Sequence, residues 1–271
     1  MKKILIAIIA FCEAMTGISQ TDTSGNDQKV DTIKVGGMII VKKHGKDENG
    51  KEDNDITISN HHHYKSSNVS TNWFVVDLGF ANYTDNTIYG SAEAQAFAPG
   101  SNKDRLNLRN GKSVDVNIWF FMQKINIIKH VINFKYGLGL ELNNYRYDDE
   151  SVHFHKNPTV ISFDETNVYK NKLAADYITL PFMLNINFTP ERNKSFGFSG
   201  GISASYLYSA RQKINHSKLH GDFDLEKWKL SYIGELNLGV VKLYGSYAMK
   251  NMWSKGLDQT PYTVGIRLSS W

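Results

Sequence analysis

Residues Ile132–Tyr147 read INFKYGLGLELNNYRY, and their alternation decides the fold. Ile132, Phe134, Tyr136, Leu138, Leu140 and Leu142 fall on one face, with Asn133, Lys135, Gly137, Gly139, Glu141 and Asn143 on the other. Side chains of a strand point to opposite faces in turn, so this is one long strand with an apolar and a polar side. The same pattern recurs in Ile178–Phe188, where Ile178, Leu180, Phe182, Leu184, Ile186 and Phe188 alternate with Thr179, Pro181, Met183, Asn185 and Asn187. It returns in Phe196–Tyr206, where Gly197, Ser199, Gly201, Ser203 and Ser205 make the second face. Soluble strands usually run about 5–6 residues. A tilted strand needs about 9–11 to cross a bilayer, and these segments have that length.

Working outward, eight such segments follow one another: 73–83, 113–124, 130–147, 174–189, 196–211, 226–238, 240–249 and 262–271. The connections 84–112, 148–173, 212–225 and 250–261 are long, whereas 125–129, 190–195 and the turn near Gly239 are short. Long loops at one end and short turns at the other mark transmembrane barrels. The expectation is therefore an all-β chain: an eight-stranded antiparallel transmembrane up-and-down β-barrel over 72–271. An even strand count places both termini in the periplasm. The alternative, a secreted β-sandwich or lipocalin-like barrel, would turn the apolar face inward and leave Gly137, Gly139, Ser199, Gly201 and Ser203 as an unsuitable solvent face. Aromatic rings prefer the membrane interfaces. Tyr83, Tyr145, Tyr177, Tyr206, Tyr208, Trp253 and Tyr262 are expected in the outer belt, and Trp73, Phe188, Phe196 and Trp271 in the periplasmic one.

Composition taken alone points the other way. The 271 residues are 41% hydrophobic and 21% charged, with a mean hydropathy of -0.39. No apolar run beyond the N-terminus reaches the ~20 residues of a spanning helix, which excludes a helical membrane protein. Averaging over two alternating faces hides the apolar one.

The N-terminus has the layout of a secretory signal peptide, 1–19: Lys2 and Lys3, then apolar Ile4–Cys12, then Gly17 and Ser19 before a cut at Gln20. The only cysteine, Cys12, lies inside it, so no disulfide is expected. Acylation of Cys12 would want a small residue where Phe11 stands. The net charge of +4, or +3 without Lys2, Lys3 and Glu13, is too weak and scattered for a nucleic-acid partner. Residues 20–71 read as a polar periplasmic extension. Within it Thr32–Val41 is a candidate strand, Lys42–Asp55 a solvated linker and Asp55–Ser59 a returning hairpin strand. His61, His62 and His63 cannot converge on one ion from an extended strand, because neighbouring side chains diverge. No metal site and no cofactor is expected.

The inward face carries Asp77, Asp115, Glu141 and Glu235 against Lys135, Lys229, Lys242 and Arg267. Eight strands enclose room only for side chains or one small ligand. A balanced set inside them reads as a structural salt-bridge network, since an unpaired buried charge is costly. Glu235 and Lys242 sit across the turn near Gly239, and Asp77 and Arg267 lie at similar depths on the first and last strands. Trp119, Phe121 and Met183 are expected to point inward too, so a narrow pore is the weaker alternative. Another is a lipid-modifying enzyme using Ser151 with His153 and His155, or Ser209 with His216 and His220. No third orienting group stands out, and no catalytic residue is assigned. Lys103, Arg105, Arg109 and Lys112 in the first long loop, with Arg211, Lys213 and Lys218 in the third, are candidates to meet lipopolysaccharide phosphates.

Several stretches resemble the small outer-membrane β-barrel proteins of Bacteroidota, the broad family that includes PorT-like proteins: Tyr136–Tyr147, Asn171–Asn185, Phe196–Lys213 and Gly256–Trp271. The resemblance covers about 72–271. It implies an outer-membrane barrel in contact with outer-membrane lipid, with envelope protein partners unnamed and no reaction assigned. The terminal Trp271 resembles the C-terminal aromatic handed to the barrel-assembly machinery. It departs in phase, since Tyr262, Val264, Ile266 and Leu268 are even and Trp271 is odd. The expected role is structural or interaction-based rather than enzymatic.

Overall fold

A computed structural model describes residues 30–35, 38–46, 52–60, 67–164, 168–190, 196–239 and 241–269. The chain divides into two compact units, Met1–Lys65 and Ser66–Trp271. The expected signal peptide, Cys12, the three adjacent histidines and Trp271 lie outside the described residues.

In the first unit β1 (Val30–Val35), β2 (Met38–Lys46) and β3 (Glu52–Asn60) form an antiparallel sheet in that order. Two expectations change here. Thr32–Val41 is two strands rather than one, with Val35 paired to Met38; the Gly36-Gly37 dipeptide between them is a two-residue hairpin signal. The charged run Lys42–Asp55 is largely strand rather than linker. Its register sets Lys43 opposite Asp55 and Lys46 opposite Glu52, and residues of opposite charge favour such pairing.

The second unit is a closed barrel. Its strands are β4 (Val69–Asp85), β5 (Val114–Ile128), β6 (Ile132–Arg146), β9 (Asn171–Asn187), β10 (Phe196–Ile214), β12 (Trp228–Leu238), β13 (Val241–Ala248) and β14 (Gln259–Leu268). Each pairs antiparallel with the next, and β14 pairs with β4 to close the ring. The short hairpin β7 (Val152–Phe154) and β8 (Ile161–Phe163), and β11 (Ser217–His220) on the edge of β10, belong to the long loops. Eight strands occur where the alternation predicts eight, their ends shifted by up to four residues.

Burial follows the period. Odd positions of β6 from Asn133 to Tyr145 are buried, whereas Ile178, Leu180, Phe182, Leu184 and Ile186 on β9 are each more than 40% exposed. A soluble monomer rarely exposes so continuous an apolar surface. No helix among the described residues is long and apolar enough to cross a membrane; the crossing elements are strands.

On β4 and β5 the phase slips at one level. Between β5 and β6 the register passes from Trp119↔Gly139 to Phe121↔Leu138, so Phe120 is an extra residue on β5, and Phe74, at the same level of β4, falls outside the β4–β5 ladder. Phe74 has φ 55°, a left-handed conformation that β-bulges use. Past the bulge Met122 is buried, while Phe121 packs against the outward Trp73 and Tyr136. Phe121 therefore faces out, contrary to its expected inward direction. Lys124, set opposite the inward Lys135, joins the inner face.

The strands also outrun the bilayer: β4 and β9 have 17 residues and β10 has 19. Their upper inner faces meet folded loops. Phe97 from a short helix (Ala92–Phe97), Leu106, Phe154, Ile161, Phe223, Trp253 and Leu257 pack with Tyr83, Tyr145 and Tyr177 of the wall into one buried core. Trp253 stacks on Phe154 at 5.9 Å and meets Phe97 edge-on at 5.5 Å. Its Nε1 donates to Gln259 Oε1 at 2.9 Å. Tyr83, Tyr145, Tyr177 and Trp253 are thus core residues of a cap made by the long loops, not members of the outer belt, because they lie on the inward face above the apolar band. Tyr206, Tyr208 and Trp228 do face outward.

Candidate functional site: the charged lumen and the outer rim

Beneath the cap the inward faces bring the charged residues into two groups. In the lower one, Arg267 on β14 lies opposite Asp77 on β4. Its Nε and Nη2 donate to the two Asp77 oxygens at 2.7 Å each, a bidentate pairing that suits the planar guanidinium. Arg267 Nη1 also donates to Glu235, which receives a second bond from Lys135 across the lumen. Trp119 Nε1 donates to Asp77 Oδ2 at 2.7 Å. Lys135 and Glu235 side chains are each 1% exposed. The expected neighbour relation of Glu235 and Lys242 differs in detail. The register sets Glu235 opposite Tyr244 and Lys242 opposite Asn237, and Lys242 donates to Ser269 Oγ.

In the upper group Lys229 donates to Glu141, which also accepts from Asn143 Nδ2 at 2.9 Å and from Thr179 Oγ1 at 3.2 Å. Lys229 Nζ lies 4.3 Å from the Tyr177 ring centre, a cation–π contact linking this group to the cap core. Asp115 accepts from Tyr244 Oη and, at 3.0 Å, from Asn117 Nδ2. Tyr244 fits because Gly79 and Gly265 face each other beside it. A Cβ at Gly79 would lie 2.6 Å from Tyr244 Oη, and one at Gly265 would lie 2.7 Å from the Tyr244 ring.

Between the groups the lumen retains a cavity of about 30 Å³, lined by Asp77, Asn117, Trp119, Glu141, Tyr244 and Arg267 among others. That is room for one or two waters. The lumen therefore offers positioned charges around a small cavity.

The candidate catalytic residues are not arranged for acyl transfer. Ser151 donates to Asp149 Oδ1 at 2.6 Å. His155 Nε2 contacts Ser162 Oγ at 2.7 Å, and that hydroxyl donates to Asp164 at 2.9 Å. A triad needs the histidine between hydroxyl and carboxylate; here the serine is in the middle. His216 lies beside the Tyr169 hydroxyl, Nδ1 at 3.1 Å, and Ser209 accepts from Arg211 at 3.4 Å. The His220 backbone oxygen accepts from Lys156 Nζ at 2.7 Å. Among the described residues no group of three or more His, Cys, Asp or Glu converges as a metal site would.

The loop cations divide. Arg109 pairs with Asp148 at 2.8 Å and Glu150 at 3.4 Å, and the Asp148 hydrogen bond raises its pKa. Arg105 lies 4.7 Å over the Phe163 ring. Lys103 and Lys112 are exposed. Arg211 is held by Asp176, whereas Lys213 and Lys218 lie opposite one another on β10 and β11. The bulge between Leu207 and Ser209 brings Arg211 and Lys213 to the outer face.

A profile described as outer membrane protein beta-barrel domain matches residues 68–249. The chain belongs to this family. It is an integral outer-membrane β-barrel protein, as its closed eight-stranded ring and outward apolar face require. No curated protein matches it. Among solved structures it is similar to Ail, the attachment invasion locus protein of Yersinia pestis, at 10% identity and a TM-score of 0.31, covering 75% of this chain and 100% of that one. A mutant of the Rh. blastica porin is similar at 9% identity and a TM-score of 0.13, covering 89% of this chain and 88% of the porin.

Proposed function

We propose that this barrel is a closed outer-membrane anchor with a structural or interaction role, its cap presented to the exterior and both termini in the periplasm. The observation that carries the reading is the filled interior. Two interlocked charge groups leave about 30 Å³ between them, and the cap core lies above. A barrel built to conduct would not spend nine-tenths-buried Lys135 and Arg267 on pairing with Glu235 across its lumen. The Bacteroidota PorT-like resemblance, defined by fold without an assigned reaction, is in keeping with this. The role is non-catalytic: the hydroxyl and imidazole groups at the rim are engaged in contacts that orient no nucleophile.

Planar-bilayer recordings of the purified chain test the closed lumen, and no sustained conductance is expected. A stable large conductance overturns it. Gentle detergent extraction tests the interaction role. Recovery with envelope proteins supports it, and a chain that always emerges alone counts against it. Lipid A mass spectra with and without the protein are expected to match, and a mass change would make it an enzyme.

A further inference from the structure

On the outward face above the apolar band, four cations stand in one cross-strand row. The register sets Arg146 of β6 opposite Lys172 of β9, Lys172 opposite Lys213 of β10, and Lys213 opposite Lys218 of β11. Neighbouring strands lie about 4.8 Å apart, so the row is about 14 Å long. Like charges directly opposite destabilise a sheet, and here three such pairs follow in succession. Among the described residues none of the four is in an ion pair. The carboxylate just below, Asp176, is taken by Arg211.

The local contacts leave charge to spare. Lys172 Nζ donates to Asn144 Oδ1 at 2.8 Å, a neutral acceptor. Arg146 Nη2 donates to the Tyr169 backbone oxygen at 2.7 Å, while its Nε is buried without a partner. Lys172 lies six residues above Ile178, the top apolar residue of its strand, and so outside the membrane-spanning segment. Burial, with Lys213, Lys170, Arg211 and Arg146 close by, lowers its pKa to about 8.

The apolar wall beneath the row ends at Leu142, Ile178 and Tyr208, four to six residues down the strands. At about 3.3 Å per residue and a tilt near 40°, the row stands about 10–15 Å above that edge. Anionic head groups and a hydrocarbon surface at that separation are the two ends of one kind of molecule. We propose that the wall formed by β6, β9, β10 and β11 binds a phosphate-bearing glycolipid of the outer leaflet, its phosphates on Arg146, Lys172, Lys213 and Lys218 and its acyl chains on the apolar strands below. The inference deepens the surface-interaction role by naming a lipid partner. Free phosphate would engage the cations but leave the apolar edge unused.

The test uses the full chain in detergent, titrated with bisphosphorylated lipid A, with the same lipid A enzymatically dephosphorylated, and with inorganic phosphate. Binding is counted as lipid adducts by native mass spectrometry. The wild type is expected to bind the bisphosphorylated lipid about tenfold more tightly than the dephosphorylated one, and equimolar inorganic phosphate is expected not to displace it. The triple variant Lys172→Gln/Lys213→Gln/Lys218→Gln is expected to lose that preference, while Lys227→Gln/Lys250→Gln, which removes two exposed loop cations outside the row, keeps it. Equal binding of the two lipids, an unchanged triple variant, an equal loss in the control, or displacement by inorganic phosphate each overturns the proposal. Heat-modifiable gel mobility establishes that the triple variant is folded. If it is not, the single changes Lys213→Gln and Lys218→Gln are read against the wild type by the same criterion. Bilayer conductance is unaffected by either result, so failure here is distinguishable from failure of the closed-barrel reading.

Discussion

Replacing Arg267 by Met tests whether the lower charge group holds the barrel shut. In the wild type the guanidinium makes two 2.7 Å bonds to Asp77 and a third to Glu235, with its side chain 5% exposed. Met matches the aliphatic stem and removes all three. Glu235 then retains Lys135, but Asp77 retains only neutral donors, Trp119 Nε1 at 2.7 Å and Asn117 Nδ2 at 3.4 Å. Leaving a buried charge without its partner costs about 3–5 kcal/mol. Removing that charge as well should return much of the loss, so Arg267→Met/Asp77→Asn is expected to be more stable than Arg267→Met alone by about 2 kcal/mol, a coupling within the range of contacting residues. The assay is urea unfolding of the barrel in lipid vesicles, followed by Trp fluorescence and heat-modifiable mobility. A cost below about 1 kcal/mol for Arg267→Met, or no recovery in the double variant, would refute the reasoning, since either means that Asp77 does not depend on Arg267.

Gly79→Val places its Cβ against Tyr244 Oη and the Val264 backbone oxygen, both at 2.6 Å; overpacking of this kind costs about 1–3 kcal/mol, read in the same urea assay, and Gly90→Val, in open space, is expected to be near neutral. Trp253→Ala removes the centre of the cap core and is expected to cost about 3–5 kcal/mol locally, seen as protease cuts within 147–170 and 215–227 while the membrane strands stay intact. Tyr89 in the first loop donates to Asp85, and burial with that carboxylate raises its pKa. Because the folded-state pKa lies above the unfolded value near 10, its contribution is complete below pH about 10 and is lost as pH rises toward the folded value. Cap unfolding at alkaline pH is therefore expected to be less steeply pH-dependent in Tyr89→Phe than in the wild type.

The barrel was legible where one face had a single character. Along Ile132–Leu142 the lipid side is apolar and the lumen side small or charged, so a one-residue slip would be visible. At Trp73-Phe74 and Trp119-Phe120-Phe121 both phases read as apolar, and nothing local marks which residue the bulge leaves out. That ambiguity sent Phe121 inward and hid Lys124. The identities of the inward charges follow from alternation, but their partners do not, because Lys135 and Glu235 meet across the lumen at a separation of 100 residues. The cap escaped notice because Phe97, Phe154, Phe223 and Trp253 are isolated apolar residues in polar loops with no period to reveal them. Tyr83, Tyr145, Tyr177 and Trp253 read as belt residues for a related reason: a ring near a strand end looks the same whether it faces lipid or a folded loop. The cation row needed the register of four strands, since Arg146 and Lys172 are unremarkable in their own segments.

The seam between β14 and β4 has a consequence for how the molecule is made. Asp77 and Arg267 are 190 residues apart, so their pairing waits on nearly the whole chain. Contacts of such separation form late, after the entropy of closing the intervening chain has been paid. Until then Asp77 faces a half-built interior without its cation, and Glu235 lacks one of its two. A sheet with seven strands assembled therefore carries an electrostatic penalty that only the eighth strand removes. Closure is favoured by ladder hydrogen bonds and also by charge neutralisation, which makes the open intermediate a poor resting state in lipid. A chain truncated before Gln259 should accordingly fail to persist in the membrane rather than settle there as a seven-stranded sheet.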